Sequence, residues 1–217
     1  MYVELIDALR CPRPHADTWL VAAAAETRDR CVVRGTLGCP VCRAEFPVTE
    51  GVAAFDQAPG PAREPLGTSA AGAAAGSDDE AVRLAALLGL TSPGGIVAVG
   101  GAWGAVVDAL LQVADVRVLV VEPLHAHVPR EPVGALRGAW LPVAAASLRG
   151  VALDHATAAP ERLAAAVIAL RPGGRLVAPA GTPVPSGARE LARDERHWVA
   201  ERAAPAGAVV PLRRAPR

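Results

Sequence analysis

The pair Cys39-Pro-Val-Cys42 constrains this chain more than any other feature of its sequence. Two thiolates separated by two residues can grip one divalent ion while the amides of the intervening turn point at the sulfurs. Cys11 and His15, in a Cys-x3-His spacing, offer a second half, and the four together would make a tetrahedral Cys3His site. Cys31, at the start of a predicted strand, is the competing fourth ligand and could instead be a packed thiol. The segment from Met1 to Phe55 has few large apolar residues, and a segment that short needs a staple of this kind. A closed four-ligand site has no open position, so its metal, a structural Zn2+, would fold the segment rather than catalyse. Two other readings stay open here: a redox pair, for which the expected βαβ context is missing, and four plain core cysteines.

Composition narrows the classes. Hydrophobic residues make up 52% but aromatics only 3%, so the core is expected to be Ala, Val and Leu. Lysine is absent, which excludes Schiff-base chemistry and a P-loop lysine. Basic and acidic residues balance at 22 each, so no overall field draws the chain to nucleic acid, although a local Arg patch remains open. No apolar run approaches the ~20 residues of a membrane span. The start of the chain is acidic and amphipathic, without the basic start of a signal peptide. A cytoplasmic location is therefore expected, where reducing conditions favour cysteines as metal ligands.

The pattern divides into residues 1–55, a linker at 56–76 rich in Ala, Gly, Pro and Ser, and a domain at 77–217. Short strands are expected at Trp19–Ala22, Cys31–Leu37 and around Phe46–Phe55, after a helical face at Val3–Arg10. Ser77 followed by Asp78, Asp79 and Glu80 predicts a capped helix ended by Gly89. Strands at Ile96–Val99, Val116–Val121, Gly150–Leu153 and Arg175–Ala178 then alternate with helices at Gly104–Val113 and Pro160–Leu170. Such alternation predicts an α/β fold with a mostly parallel sheet. The stretch from Glu122 to Leu141, interrupted by prolines, has little room for a full helix plus strand. Arg189–Arg193 reads as a further helix, and His197–Glu201 with Val209–Arg213 as a closing antiparallel hairpin.

The run Cys39-Pro-Val-Cys42-Arg-Ala-Glu-Phe46-Pro47-Val48-Thr-Glu-Gly51-Val52 resembles the end of the zinc ribbons that activate tRNA, rRNA and release-factor methyltransferases. Ala53 stands where that family has proline, and the first knuckle is Cys-x3-His rather than Cys-x2-Cys. The resemblance implies a zinc ribbon and a protein partner, a methyltransferase or a component of translation.

Val97-Ala98-Val99-Gly100-Gly101-Ala102-Trp103-Gly104 reads as a strand, a glycine turn and a helix start, where backbone can approach a ligand closely. Glu122, at the end of the next strand, can accept hydrogen bonds from ribose hydroxyls. The arrangement resembles class I S-adenosylmethionine-dependent methyltransferases. Gly100 and Gly104 match the outer glycines of their first motif, while Ala98 replaces its acid and Ala102 its middle glycine. Leu170-Arg171-Pro172-Gly173-Gly174 is similar to that family's turn before the fifth strand. The resemblance implies a Rossmann-like sheet with S-adenosylmethionine held by Gly100, Gly101, Ala102, Gly104 and Glu122. Trp103 would stack on a ligand or block the pocket.

Asp154 and His155 are candidates for a general base and its neighbour, or are polar residues at a loop mouth. His125 and His127 are a weaker second metal pair, His197 is expected to face solvent, and Trp198 to be core. Two functions follow: a methyltransferase with a structural zinc ribbon, or a pseudo-enzyme whose sheet no longer binds cofactor and which docks a partner. A dehydrogenase is disfavoured, because Ala102 and Ala105 occupy glycine positions of its fingerprint.

Overall fold

The computed structural model describes residues 1–55, 77–124 and 128–203. The expected 56–76 linker, the His125–His127 pair and Val209–Arg213 lie outside the described residues.

Four strands come from the first 55 residues: β1 (Val21–Arg28), β2 (Cys31–Gly38), β3 (Glu45–Thr49) and β4 (Val52–Ala54). They form an antiparallel meander after the short helix α1 (Val3–Ile6). The rest supplies α2 (Asp78–Leu88), β5 (Ile96–Gly100), a 3₁₀ turn (Gly101–Val106), α3 (Val107–Val113), β6 (Arg117–Val121) and β7 (Val133–Arg137). It continues with β8 (Leu148–Ala152), α4 (Pro160–Ala169), β9 (Leu170–Pro179), β10 (Ala188–Arg193) and β11 (His197–Arg202).

All eleven strands join one sheet in the order β1-β2-β3-β4-β7-β6-β5-β8-β9-β11-β10. From β4 to β9 every pairing is parallel, and β11 runs antiparallel to both β9 and β10. The order reverses at β5, which lies between β6 and β8, so the carboxyl ends of β5 and β8 form the crevice where open sheets of this kind bind ligands.

The α2 helix begins as its sequence dictates. Ser77 Oγ accepts from the Glu80 amide at 3.2 Å, three acids occupy the first turn, and Gly89 closes the helix in the left-handed conformation. Its Leu84 and Leu88 pack with Leu110 of α3 on one face of the sheet, against Val97, Val99, Val118 and Val120. On the other face, Leu163 and Val167 of α4 and Leu5 and Ile6 of α1 meet the alternate residues Ala98, Leu119, Val121 and Leu136.

This second face explains how so short a domain closes its core. The connection from β7 to β8, residues 138–147, contains no helix. The chain's first residues stand there instead. Val52, Ala53 and Ala54 of β4 pair with Ala135, Leu136 and Arg137, Leu9 bridges Val143, and the Arg10 amide donates to Pro142 O at 2.8 Å. Phe46 and Phe55, with ring centroids 4.8 Å apart, belong to the same apolar cluster as Leu119 and Leu136.

Two expectations near the end of the chain are corrected. Ala188–Arg193 has good helix formers but forms an edge strand, because β11 offers it a ladder and Arg189 an ion partner in Glu201 at 3.0 Å. Tertiary pairing overrides local propensity there. His197 does not simply face solvent: its ring packs on Trp103 with centroids 5.2 Å apart. Trp198 is fully buried, its indole N–H donating to Thr182 O at 2.8 Å.

Candidate functional site

The first cluster lies beside β2. Cys39 follows the end of that strand, and the turn holding Cys42 folds back through Arg43 N to Cys39 O at 2.9 Å. Cys11 and His15 occupy the loop after α1, anchored by the Cys11 amide on Thr18 O at 2.9 Å. The ligand atoms of Cys11, His15, Cys39 and Cys42 all lie within 4.8 Å of one another, a group that could hold a metal ion.

The separations suit a tetrahedral ion. Cys11 Sγ and Cys42 Sγ are 3.6 Å apart, and Cys39 Sγ and His15 Nε2 are 3.4 Å apart. Bonds of about 2.3 Å to sulfur and 2.0 Å to nitrogen set those edges at about 3.8 and 3.5 Å around zinc. His15 Nδ1 lies 2.7 Å from Ala16 O, so a proton there leaves the Nε2 lone pair facing the sulfurs. Burial opposes ionisation of Cys39, but amide hydrogen bonds from Cys42 and Val41 overcome it and draw the thiol down to about 6. Burial and the neighbouring Cys42 and Cys39 push Cys11 up to about 12, so without a metal ion the Cys39 thiolate forms before that of Cys11. Cys31 is not in this group. It is fully buried at the start of β2, paired with Tyr2, and burial raises its thiol.

The glycine turn stands at the carboxyl end of β5. Gly101 has φ +63°, a conformation that glycine adopts without strain. The space a Cβ would fill at Gly101 holds the carboxylate of Asp154, which arrives from the end of β8. Asp154 Oδ2 accepts from the Ala102 amide at 2.8 Å. Its Oδ1 accepts from the amides of Ala156 and Thr157 at 3.1 and 3.0 Å and from Thr157 Oγ1 at 2.7 Å. Asp154 is thus bound by four donors rather than poised as a free base, and His155 is exposed beside it.

Glu122 follows β6, in register with the turn because Gly100 pairs with Val121. Its Oε1 accepts from the Gly138 amide at 2.7 Å and lies 3.6 Å from Arg162 Nη2. Arg162 is buried and also donates to Gly138 O at 2.7 Å and Thr157 O at 2.9 Å. Gly104 sits in the 3₁₀ turn, facing Val120, and Trp103 is largely buried but contributes to the lining of the cleft over the strand ends. Ala98, where an acid was missing, is fully buried in the core.

A cleft of about 460 Å³ opens over the ends of β5, β8 and β9, lined among others by Glu80, Asp154, His155, Glu195 and Arg196. Its far wall is the turn between β10 and β11. Asp194 caps that turn, accepting from the amides of Arg196 and His197 at 2.7 Å each, while Arg83 Nη2 binds its other oxygen at 2.7 Å. Sequence reasoning missed Arg162, Arg83 and this cap. The Asp154-x-x-Thr157 spacing is the local sequence signal for the turn that holds the Asp154 carboxylate.

The sheet is an open, largely parallel α/β sheet of Rossmann-like order. No protein-family model matches the chain, and no curated protein matches it. Among solved structures it is similar to a candidate S-adenosyl-L-methionine-dependent methyltransferase of Methanococcus maripaludis, at 10% identity and TM-score 0.44, covering 61% of this chain and 87% of that one. It is also similar to a protein of Anabaena variabilis described as a candidate methyltransferase of antibiotic biosynthesis, at 20% identity and TM-score 0.42, over 49% of this chain and 46% of that one. A third is the Haloferax volcanii complex of the Trm112 methyltransferase activator with a candidate methyltransferase, at 20% identity and TM-score 0.37, over 46% and 53%. This chain spans less than half the length of the Anabaena protein. No helix among the described residues is long and apolar enough to cross a membrane.

Proposed function

We propose that this chain is a zinc-stapled methyltransferase-like scaffold whose cofactor cradle is closed by its own Asp154, so that it works by binding a partner rather than by transferring methyl groups. The observation that carries this reading is the Asp154 carboxylate lying against Gly101 with the Ala102 amide as its donor. A ligand carboxylate brought to that turn meets a like charge, and any ligand acceptor finds the Ala102 amide already taken. Ala98 also stands where the resembling family has the acid that orients the methionine end of the cofactor. The zinc is held by Cys11, His15, Cys39 and Cys42, is closed to substrate, and serves folding. The ribbon's likeness to methyltransferase activators makes a second methyltransferase or a component of translation the partner to try first.

Calorimetric titration of the metal-containing chain with S-adenosylhomocysteine tests this. Absence of saturable heat to millimolar ligand is expected, and stoichiometric binding overturns the scaffold. One observation favours the enzyme as a second reading: Glu122 keeps its place beside the turn, and its Oε2 has no hydrogen-bond partner among the described residues.

A further inference from the structure

We infer that Asp154 is a releasable latch, and that the closed turn is an autoinhibited state of an adenosyl-ligand site rather than its ruin. This rests on the closed-cradle reading above and adds that one hydrogen bond does the closing.

The two oxygens of Asp154 have separate duties. Oδ1 alone organises the loop that follows β8, accepting from Ala156 N, Thr157 N and Thr157 Oγ1. Asp154 N donates to Thr157 Oγ1 at 3.0 Å and reinforces the same loop. Oδ2 takes no part in that loop and, among the described residues, accepts only from Ala102 N. The loop can therefore keep its shape while the bond to the turn breaks. Ala102 is exposed, so water can take the place of either partner as the bond opens.

The latch also spans the right gap. Asp154 follows β8 and Ala102 follows β5, the two strands between which the sheet order reverses. The contact ties across the crevice itself. On the other side of β5, Glu122 is anchored through Oε1 alone and its side chain is 33% exposed. The second anchor for an adenosyl ligand is thus still in place, and the turn amide is the group withheld.

The isosteric change Asp154→Asn separates the duties. The Asn carbonyl can keep the Oδ1 bonds, while its NH2 faces the Ala102 N–H, donor against donor. The full-length, zinc-containing protein and this variant are titrated calorimetrically with S-adenosylhomocysteine, with thermal melts to confirm the fold. The latch predicts no saturable binding by the wild type and binding by Asp154→Asn tighter by about tenfold or more than the detection limit. That gain disappears when Glu122→Ala is added. If neither protein binds, the latch is wrong and the permanently closed scaffold stands. If the wild type binds as tightly as the variant, both readings fall. Should Asp154→Asn melt far below wild type, Asp154→Ser replaces it, since a hydroxyl can still accept from Thr157 N but is too short to reach Ala102. A folded Asp154→Ser protein without binding also overturns the latch.

Discussion

Leu9 and Val143 face each other in an antiparallel bridge, two residues before Cys11 on one side and five residues before β8 on the other. With the Ala144 amide on Ala8 O at 2.8 Å and the Arg10 amide on Pro142 O, this bridge fastens the loop carrying Cys11 and His15 to the α/β part of the molecule. The Cys/His cluster and the parallel sheet are therefore mechanically joined.

Metal removal should be felt throughout. The purified protein is expected to carry one zinc per chain, lost in Cys39→Ser and reduced in His15→Ala but unchanged in Cys31→Ser. A strong chelator should lower the melting temperature by on the order of 10 °C in a single transition. Metal analysis with calorimetry checks this. Two separate transitions, with the second unmoved, would show that the parts fold independently.

Gly134 on β7 tests the packing under α1. A Cβ there would stand 2.7 Å from Met1 Sδ and 2.9 Å from Leu5 Cδ1. Gly134→Ala should destabilise by about 1–3 kcal/mol through overpacking, measured by urea unfolding. An unchanged midpoint would mean that α1 is not seated on this face.

Arg162 holds Glu122, Gly138 O and Thr157 O together with little access to water. Arg162→Met should cost about 3 kcal/mol, because two carbonyls and a half-buried carboxylate lose their partner. Denaturant titration of the two proteins side by side measures it.

Asp194 governs acid stability at the cleft wall. Backbone amides of His197 and Arg196, then the Arg83 guanidinium, lower its carboxyl from 3.8 to about 2 against the effect of burial. A depressed folded-state value gives stability that is present above about pH 4 and lost as the pH falls toward 2. Asp194→Asn should thus be less stable at neutral pH and show a shallower loss between pH 4 and 2, followed by circular dichroism. Parallel acid limbs for the two proteins would contradict the cap.

How much could be read beforehand depended on whether the cause was local. The β5 run, the apolar Val118–Val121 run of β6 and the Ser77 cap are set by neighbouring residues and were legible. The β7 strand was not placed, since Val133–Arg137 gains its identity only between β4 and β6. The spacing of Cys39 and Cys42 suggested a metal grip, but which of His15 and Cys31 lies beside that pair needed coordinates, because the contacts cross from one loop to another. Gly101 was read as room for a ligand, whereas the room is taken by a side chain 53 positions later. No pattern in a single sequence announces such a pairing.

The parallel ladder between β4 and β7 has a practical consequence for anyone wishing to divide this molecule. Separating the two parts in the stretch after Phe55 would leave Val133–Arg137 with one side of its backbone unpaired and would remove Phe46 and Phe55 from the apolar cluster they share with Leu119 and Leu136. Such a fragment would offer water a bare β-edge beside an oily floor, the combination that drives chains to stack on one another.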